Sequence, residues 1–349
     1  MQRDAIGPEA LAARDNLMLA VWKTARGKRE RPAVARYLAG LDARLDELAT
    51  SLVEQRAPLG HARRFTIHDP KRRTITAACF ADRVLHHAIL NLAEPRFERM
   101  LVASSFACRP GKGVHAAVQQ VQRQVRRWPW FVQVDVDGYF PGIDHEILKS
   151  LLARRFKGAD FLALLGRIVA AGSDDAPGRG LPIGALTSQH FANAYLDAGD
   201  RFLLERPGTR AHVRYMDDIV WWCDSRTEAA HGLDALREFL WNERRLRLKP
   251  TAHIGRSTQG LAYCDFRVRP GVILASRRKL ARYRCGLMRV QRARAAGLAD
   301  AAQVQRACDG LLATLAGAET LGFRRRLLHA QGDGEAADRY ARAPGGRSA

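Results

Sequence analysis

The spacing of apolar positions changes several times along the chain, and each change marks an element. From Ala10 to about Gln55 the pattern is helical, with Asn16, Leu17, Leu19, Ala20 and Val21 preceding a basic stretch from Lys23 to Arg29. The run from Arg63 to Thr76 predicts two short strands joined by a basic turn at Asp69-Pro70. Helices are expected over Asp82 to Phe97 and Gly113 to Arg127. The apolar run Phe131 to Val136 then predicts a strand, followed by a helix from about Asp144. A Gly-rich loop from Ala176 to Gly184 leads into a long helix from Ser188 to about Leu204. The stretch His212 to Cys223 reads as a β-hairpin and Thr227 to Leu246 as a helix. Short strands are expected around Ala262 to Arg267 and Val272 to Ala275, and the Arg-rich tail from Arg278 to about Arg342 reads as mostly helical. Antiparallel strands with helices on one face predict an α+β fold.

Composition adds a partner to this outline. With 349 residues, 47% of them hydrophobic, the chain can bury a sizeable core with more than one subdomain. No repeat or low-complexity linker separates those subdomains, so they are expected to interleave. Lys and Arg number 57 against 36 Asp and Glu, a formal net charge of +21. Such a field favours a polyanion, because each neutralised phosphate releases a condensed counterion. No run of about 18 apolar residues and no basic-then-apolar start is present, which points to a soluble cytoplasmic protein rather than a membrane or secreted one. The six cysteines are scattered without a C-x-x-C pair, so reduced thiols are expected.

Acidic residues mark the candidate chemistry. Asp135 ends an apolar strand, and Asp217-Asp218 sit where Val213-Arg214-Tyr215-Met216 turns into Ile219-Val220-Trp221-Trp222. Adjacent carboxylates at an apolar hairpin tip repel each other, and divalent cations would relieve that. Mg²⁺ is usually held by one or two carboxylates plus substrate phosphates, and paired ions suit phosphoryl transfer. Antiparallel neighbouring strands would bring the three acids together. A lone Asp at a strand end or in a turn is more often solvated or structural; the ordered set is what changes the reading.

In that set the chain resembles the reverse transcriptases. Tyr215-Met216-Asp217-Asp218 matches their Y-x-D-D signature, Asp135-Val136-Asp137-Gly138-Tyr139-Phe140 their first catalytic motif, and Gly180 to Gln189 the loop between them. Gly260 to Val268 resembles the primer-grip hairpin, and Asp69 to Arg73 and Asp82 to Ala88 resemble fingers motifs of bacterial enzymes. Among these enzymes the chain looks most like those of diversity-generating retroelements, because Ile183-Gly184 stands where most relatives carry Gln-Gly and is followed by Ser188-Gln189. The segments Phe106 to Gly113 and Glu94 to Glu98 look like that subgroup too. The resemblance implies a right-hand polymerase with fingers, an antiparallel-sheet palm and a helical thumb. It implies residues 1–60 as a helical N-terminal extension, 61–275 as interleaved fingers and palm, and 276–349 as thumb and tail.

The same resemblance supplies roles. Asp135, Asp217 and Asp218 would surround two Mg²⁺ ions, for which Mn²⁺ can substitute, with the Val136 carbonyl as a further ligand and Asp218 ranked behind Asp217. Lys71, Arg72 and Arg73 would hold the triphosphate. Gly138, Tyr139 and Phe140 would line the nucleotide site, with the Phe140 ring excluding a 2′-OH. Ile183 and Gly184 would lie against the nascent pair, where an aliphatic residue cannot donate the hydrogen bond of a Gln. The motif carrying the proton donor departs from the usual pattern, leaving Lys249, His253 or neither. The primer-grip segment Leu261 to Phe266 departs as well. His86 and His87 read as packing residues.

Ser188, Gln189, Arg277, Arg278 and Lys279 would contact the template–primer duplex, continued along the tail by Arg282, Arg284, Arg289, Arg292 and Arg294. The implied partners are an RNA template, a DNA primer and product, dNTPs, and a small basic accessory protein forming a barrel-shaped pentamer. The implied activity is copying of a template-repeat RNA with miscopied adenines, for targeted gene diversification. On this resemblance no RNase H domain is expected after the thumb, nor the maturase and endonuclease segments usual in intron enzymes. A group II intron- or retron-like reverse transcriptase remains open. An RNA-dependent RNA polymerase is disfavoured by Phe140, where Asp is usual, and a non-catalytic RNA-binding protein by the presence of all three acids.

Overall fold

The computed structural model describes residues 3–59, 62–68, 72–171 and 177–329. The expected turn at Asp69-Pro70, Lys71, the start of the Gly-rich loop at Ala176 and the tail past residue 329 lie outside them.

The chain opens with strand β1 (Asp4–Ala5) and helices α1 (Pro8–Ala12), α2 (Arg14–Ala25), α3 (Pro32–Ala39) and α4 (Leu41–Val53). Pro8 and Pro32 start two of these helices, where a missing N–H costs nothing. Strands β2 (Ala62–His68) and β3 (Arg72–Ala78) pair antiparallel from Ala62↔Ala78 to His68↔Arg72. Helices α5 (Phe80–Met100) and α6 (Val114–Arg127) lead to strand β4 (Trp130–Asp135), the short helix α7 (Tyr139–Gly142) and α8 (His145–Ala153). Asp144 caps α8 by accepting from the Glu146 and Ile147 amides at 3.0 and 3.2 Å. Strand β5 (Phe156–Lys157), α9 (Ala159–Ala170) and the long α10 (Leu186–Glu205) follow. Next come β6 (Ala211–Tyr215), β7 (Asp218–Cys223), α11 (Arg226–Arg244), β8 (His253–Arg256), β9 (Leu261–Tyr263), β10 (Phe266–Val268) and β11 (Ile273–Ala275). The chain then forms α12 (Arg277–Ala295), α13 (Ala301–Thr314) and α14 (Leu321–His329). No helix among the described residues is long and apolar enough to cross a membrane.

Two differences from the sequence reading have local causes. The short strands expected around Ala262 to Arg267, in the segment that resembles a hairpin, turn at Cys264 and Asp265, a position the periodicity did not mark, with φ of 48° and 65°. The type I′ turn, one of the two-residue turns that match strand twist, needs positive φ at both positions. Asp tolerates that conformation, but Cys is no turn signal, so the apolar pattern runs through it. The parallel pairing of β1 with β5, Asp4↔Phe156 and Ala5↔Lys157, is too short to leave a periodic trace.

The chain divides into two compact units, each built from three segments. The first takes the residues up to Cys108, Asp135–Glu205 and Asp234–Pro250. In it α2 lies along α5, where buried Asn16 donates to the Leu11 and Ala88 carbonyls at 2.9 and 3.2 Å. The second unit takes Arg109–Val134, Arg206–Leu233 and the residues from Thr251 onward. It carries the four-stranded sheet β6-β7-β4-β8, the small sheet β9-β10-β11, and the C-terminal helices around Tyr283, Leu287, Cys308 and Leu315.

Two buried histidines in the first unit make stability depend on pH. His86 meets the Thr187 hydroxyl at 2.8 Å, and His190 packs on Phe97. Burial pulls both pKa values from 6.5 to about 4. Both rings are neutral in the fold, so as pH falls from 6.5 towards 4 the unfolded chain takes up protons that the native one refuses. Stability is complete above that window and declines within it, by at most about 3 kcal/mol per histidine. Thermal melting should show a lower Tm at pH 5 than at pH 7, and His190→Gln should flatten roughly half of that slope.

Candidate active site

The acidic hairpin is built from a tight turn on an apolar base. Tyr215 pairs with Asp218 across β6 and β7, leaving Met216 and Asp217 as the connection. Met216 has φ 55°, the positive value that a two-residue hairpin demands. Val213, Ile219, Val220, Trp221 and Trp222 are fully buried and anchor both strands. Arg214 is fully buried too, and its Nη1 donates to the Met216 carbonyl at 3.0 Å, bracing the turn from beneath. Sequence reasoning passed over Arg214; a charge inside an apolar strand was its available signal.

The sheet order β6-β7-β4-β8 sets β4 beside β7. β4 ends at Asp135, and its Gln133 lies two residues earlier, hence on the same strand face. The Gln133 side chain donates to Asp218 Oδ1 at 3.1 Å, so the Asp218 carboxylate turns toward that face. The same amide nitrogen donates to the Ala262 carbonyl at 2.9 Å. Gln133 is the second residue that sequence reasoning missed.

Asp135 continues into a pairing with the segment before β8. The Lys249 amide donates to the Asp135 carbonyl at 2.9 Å and the Asp137 amide to the Arg247 carbonyl at 2.8 Å, forming the bridge Val136↔Leu248. Neither bond uses the Val136 carbonyl. The Lys249 ammonium donates to the Asp135 carboxylate. His253, the other candidate proton donor, is exposed in β8 opposite Gln133 with its ring edge on Phe131 at 5.3 Å. The structure thus brings Lys249 to Asp135. Among the described residues no three His, Cys, Asp or Glu side chains form a ready cation cage. The donor set suits a hard ion completed by substrate phosphates, since Mg²⁺ commonly takes only one or two carboxylates from protein.

The residues expected around the nucleotide belong to the first unit. Gly138 has φ 51°, and Tyr139 is buried with its hydroxyl donating to the Ala192 carbonyl. Phe140 is half-buried, edge-on to Tyr139 at 5.6 Å, and its carbonyl accepts from Leu181 at 2.9 Å. The Ile183 carbonyl in turn accepts from the Thr76 amide of β3 at 2.8 Å. That strand opens with Arg72 and Arg73, so the backbone of the expected triphosphate residues runs directly to the Ile183-Gly184 loop.

The two duplex contacts expected at the start of α10 are set differently from each other. Ser188 is only 1% exposed, on the inward face of α10. Gln189 is half-buried and accepts from the Cys108 thiol at 3.2 Å. At the start of α12, Arg277 is exposed, Arg278 binds Asp265 at 2.5 Å, and the Lys279 ammonium lies 4.2 Å from the Phe266 ring centre. Burial lowers the Lys279 pKa, with Asp265 opposing. Arg284, Arg289, Arg292 and Arg294 are exposed along the same helix.

The chain shares its fold with solved telomerase structures. It aligns at TM-score 0.51 with apo telomerase from Candida tropicalis, at 9% identity over 87% of this chain and 68% of that one. The same organism's telomerase with a TWJ fragment of telomeric RNA gives 0.50, at 10% identity over 80% and 60%. This is the right-hand polymerase class, α+β with fingers, an antiparallel-sheet palm and a helical thumb. Residues 68–251 match the family described as reverse transcriptase (RNA-dependent DNA polymerase), just over half the chain, and the chain belongs to that family. Protein YkfC of Escherichia coli K12 is 30% identical over 146 residues, 39% of this chain and 38% of that protein. Group II intron-encoded protein LtrA of Lactococcus lactis is 28% identical over 140 residues, 39% of this chain and 23% of that protein. The matched segments span well under half the length of these curated relatives.

Proposed function

We propose that this chain is an RNA-directed DNA polymerase in which Asp135, Asp217 and Asp218 form the metal-binding centre. The observation that carries the proposal is the sheet order with the Gln133–Asp218 bond, which supports a common face for the strand ending in Asp135 and the hairpin opening with Asp218. When bound, two divalent ions, Mg²⁺ or Mn²⁺, would activate the primer 3′-hydroxyl and neutralise the leaving pyrophosphate. The chain's own residues do the rest. The carboxylates, with the Val136 carbonyl, fix the cation positions. Arg72 and Arg73, with Lys71, grip the triphosphate in a fork and disperse its charge. Lys249 moves from Asp135 to protonate the departing pyrophosphate. Phe140 excludes the 2′-OH of a ribonucleotide, while Arg277 and the exposed arginines of α12 track duplex phosphates.

Within this activity we infer a mutagenic polymerase of the diversity-generating type, copying a template-repeat RNA with errors at adenines and working with a small basic accessory pentamer. Ile183-Gly184 supports that reading, because an aliphatic side chain at the nascent pair offers no hydrogen bond to test it. The experiment is extension of a DNA primer on an adenine-containing RNA, with products sequenced for wild type and Ile183→Gln. Errors concentrated opposite adenine in wild type and reduced in the variant are expected. An equal adenine error rate in both would remove Ile183 as the cause, and faithful synthesis by wild type would favour the second reading. That reading, a group II intron-like enzyme, is supported by the similarity to LtrA.

A further inference from the structure

We propose that Gln133 is a positioning residue for the Asp218 carboxylate, clamping it and fastening it to the β9–β10 hairpin so that it meets a divalent cation in one fixed orientation. The inference rests on the polymerase reading above and adds to it a residue outside the carboxylate set.

The geometry of the amide is self-consistent. Both acceptors around Gln133 Nε2, the Asp218 carboxylate at 3.1 Å and the Ala262 carbonyl at 2.9 Å, can only accept. A flipped amide would turn its oxygen on two acceptors, so the side chain has a single workable orientation. The Tyr263 hydroxyl also donates to the Asp218 carbonyl at 3.2 Å. Residue 218 is therefore held through its carboxylate by Gln133 and through its backbone by the hairpin to which Gln133 is tied.

That hairpin is itself rigidly set. Its turn residue Asp265 is bound by Arg278 at 2.5 Å and Arg282 at 3.6 Å, both from α12. At its base Gly260 has φ 69°, and a Cβ there would come 2.4 Å from the Val268 carbonyl. A neutral amide suits the task. A lysine in its place would neutralise Asp218 and compete with a cation, whereas the amide aims the carboxylate and leaves its charge intact. Groups that hold a metal ligand from behind act in this way.

The test uses the full chain with Gln133→Met, which keeps length and removes the donor, and Tyr263→Phe, which removes the second hold. Two readouts are taken: Mn²⁺ affinity of the protein alone, from electron paramagnetic resonance titration, and the Mg²⁺ concentration giving half-maximal primer extension. Gln133→Met should weaken Mn²⁺ binding about 10-fold or more, the loss typical when a ligand's supporting partner is removed. It should raise the Mg²⁺ requirement in step while KM for primer–template stays unchanged. Tyr263→Phe should shift both in the same direction by less, and it decides the matter if melting shows Gln133→Met unfolded. Wild-type metal affinity in folded variants overturns the proposal, as does lost activity with an unchanged metal requirement. If wild type extends no primer, the polymerase reading fails, while the Mn²⁺ titration still decides the role of Gln133.

Discussion

Asp217→Asn should abolish primer extension while leaving the fold intact. Asp217 forms the hairpin tip with Met216, half-buried, above a base whose apolar residues are untouched by the change. Asn keeps the shape and removes the charge, so Tm should move little. The carboxylate's attraction to a divalent ion is what disappears. Charge stabilisation by such ions is worth several kcal/mol, so a loss of about 10³-fold or more in kcat is expected. Single-turnover incorporation of one dNTP, with melting curves alongside, checks both halves. Near-normal incorporation would mean that Asp217 holds no metal.

Gly184→Ala should cost both stability and activity, through geometry rather than charge. Gly184 has φ 117°, outside the range that L residues readily adopt. A Cβ there would lie 2.8 Å from the Thr76 carbonyl oxygen and 3.3 Å from Ile75 Cγ2. The obstructing atom is backbone, and the Thr76–Ile183 bond at 2.8 Å ties that backbone to the loop, so neither side can yield cheaply. The strain is about 1–3 kcal/mol. Displacement of the loop by about an ångström would cost a further ~10²-fold in turnover. Gly138→Ala is the control. Its φ of 51° lies in the left-handed region open to other residues, and nothing lies within 4 Å of its Cβ position. Urea denaturation should show a clear loss for Gly184→Ala and a smaller one for Gly138→Ala; equal losses would contradict the steric account.

The candidate residues that the sequence singled out lie where local chemistry conflicts with local pattern. Adjacent acids at the end of an apolar hairpin, and an Asp closing an apolar strand, are each ambiguous alone, and Asp135, Asp217 and Asp218 stood out because they occur as an ordered set. The strands and long helices were legible because burial on one face imposes a period. Gln133 was invisible because its meaning lies in two partners, Asp218 and Ala262, distant in sequence and joined by strand order. Lys249 could not be separated from His253 by spacing, since what distinguishes them is the pairing of Val136 with Leu248, which carries Lys249 to Asp135. The hairpin within Gly260 to Val268 was expected from the resemblance, but the position of its turn at Cys264-Asp265 escaped because backbone dihedrals, not side-chain polarity, define it. The burial of Ser188 was not legible either, because a polar residue in a motif carries no mark of the inward face on which its helix sets it.

The most direct test is extension of a labelled DNA primer annealed to an RNA template, with Mg²⁺ and all four dNTPs, wild type beside Asp217→Asn at equal folded concentration. Wild type should give a ladder of DNA products that vanishes on chelation of the metal and in the variant. A ladder of equal intensity from both proteins, or none from wild type with its cognate RNA and accessory protein present, would contradict that expectation.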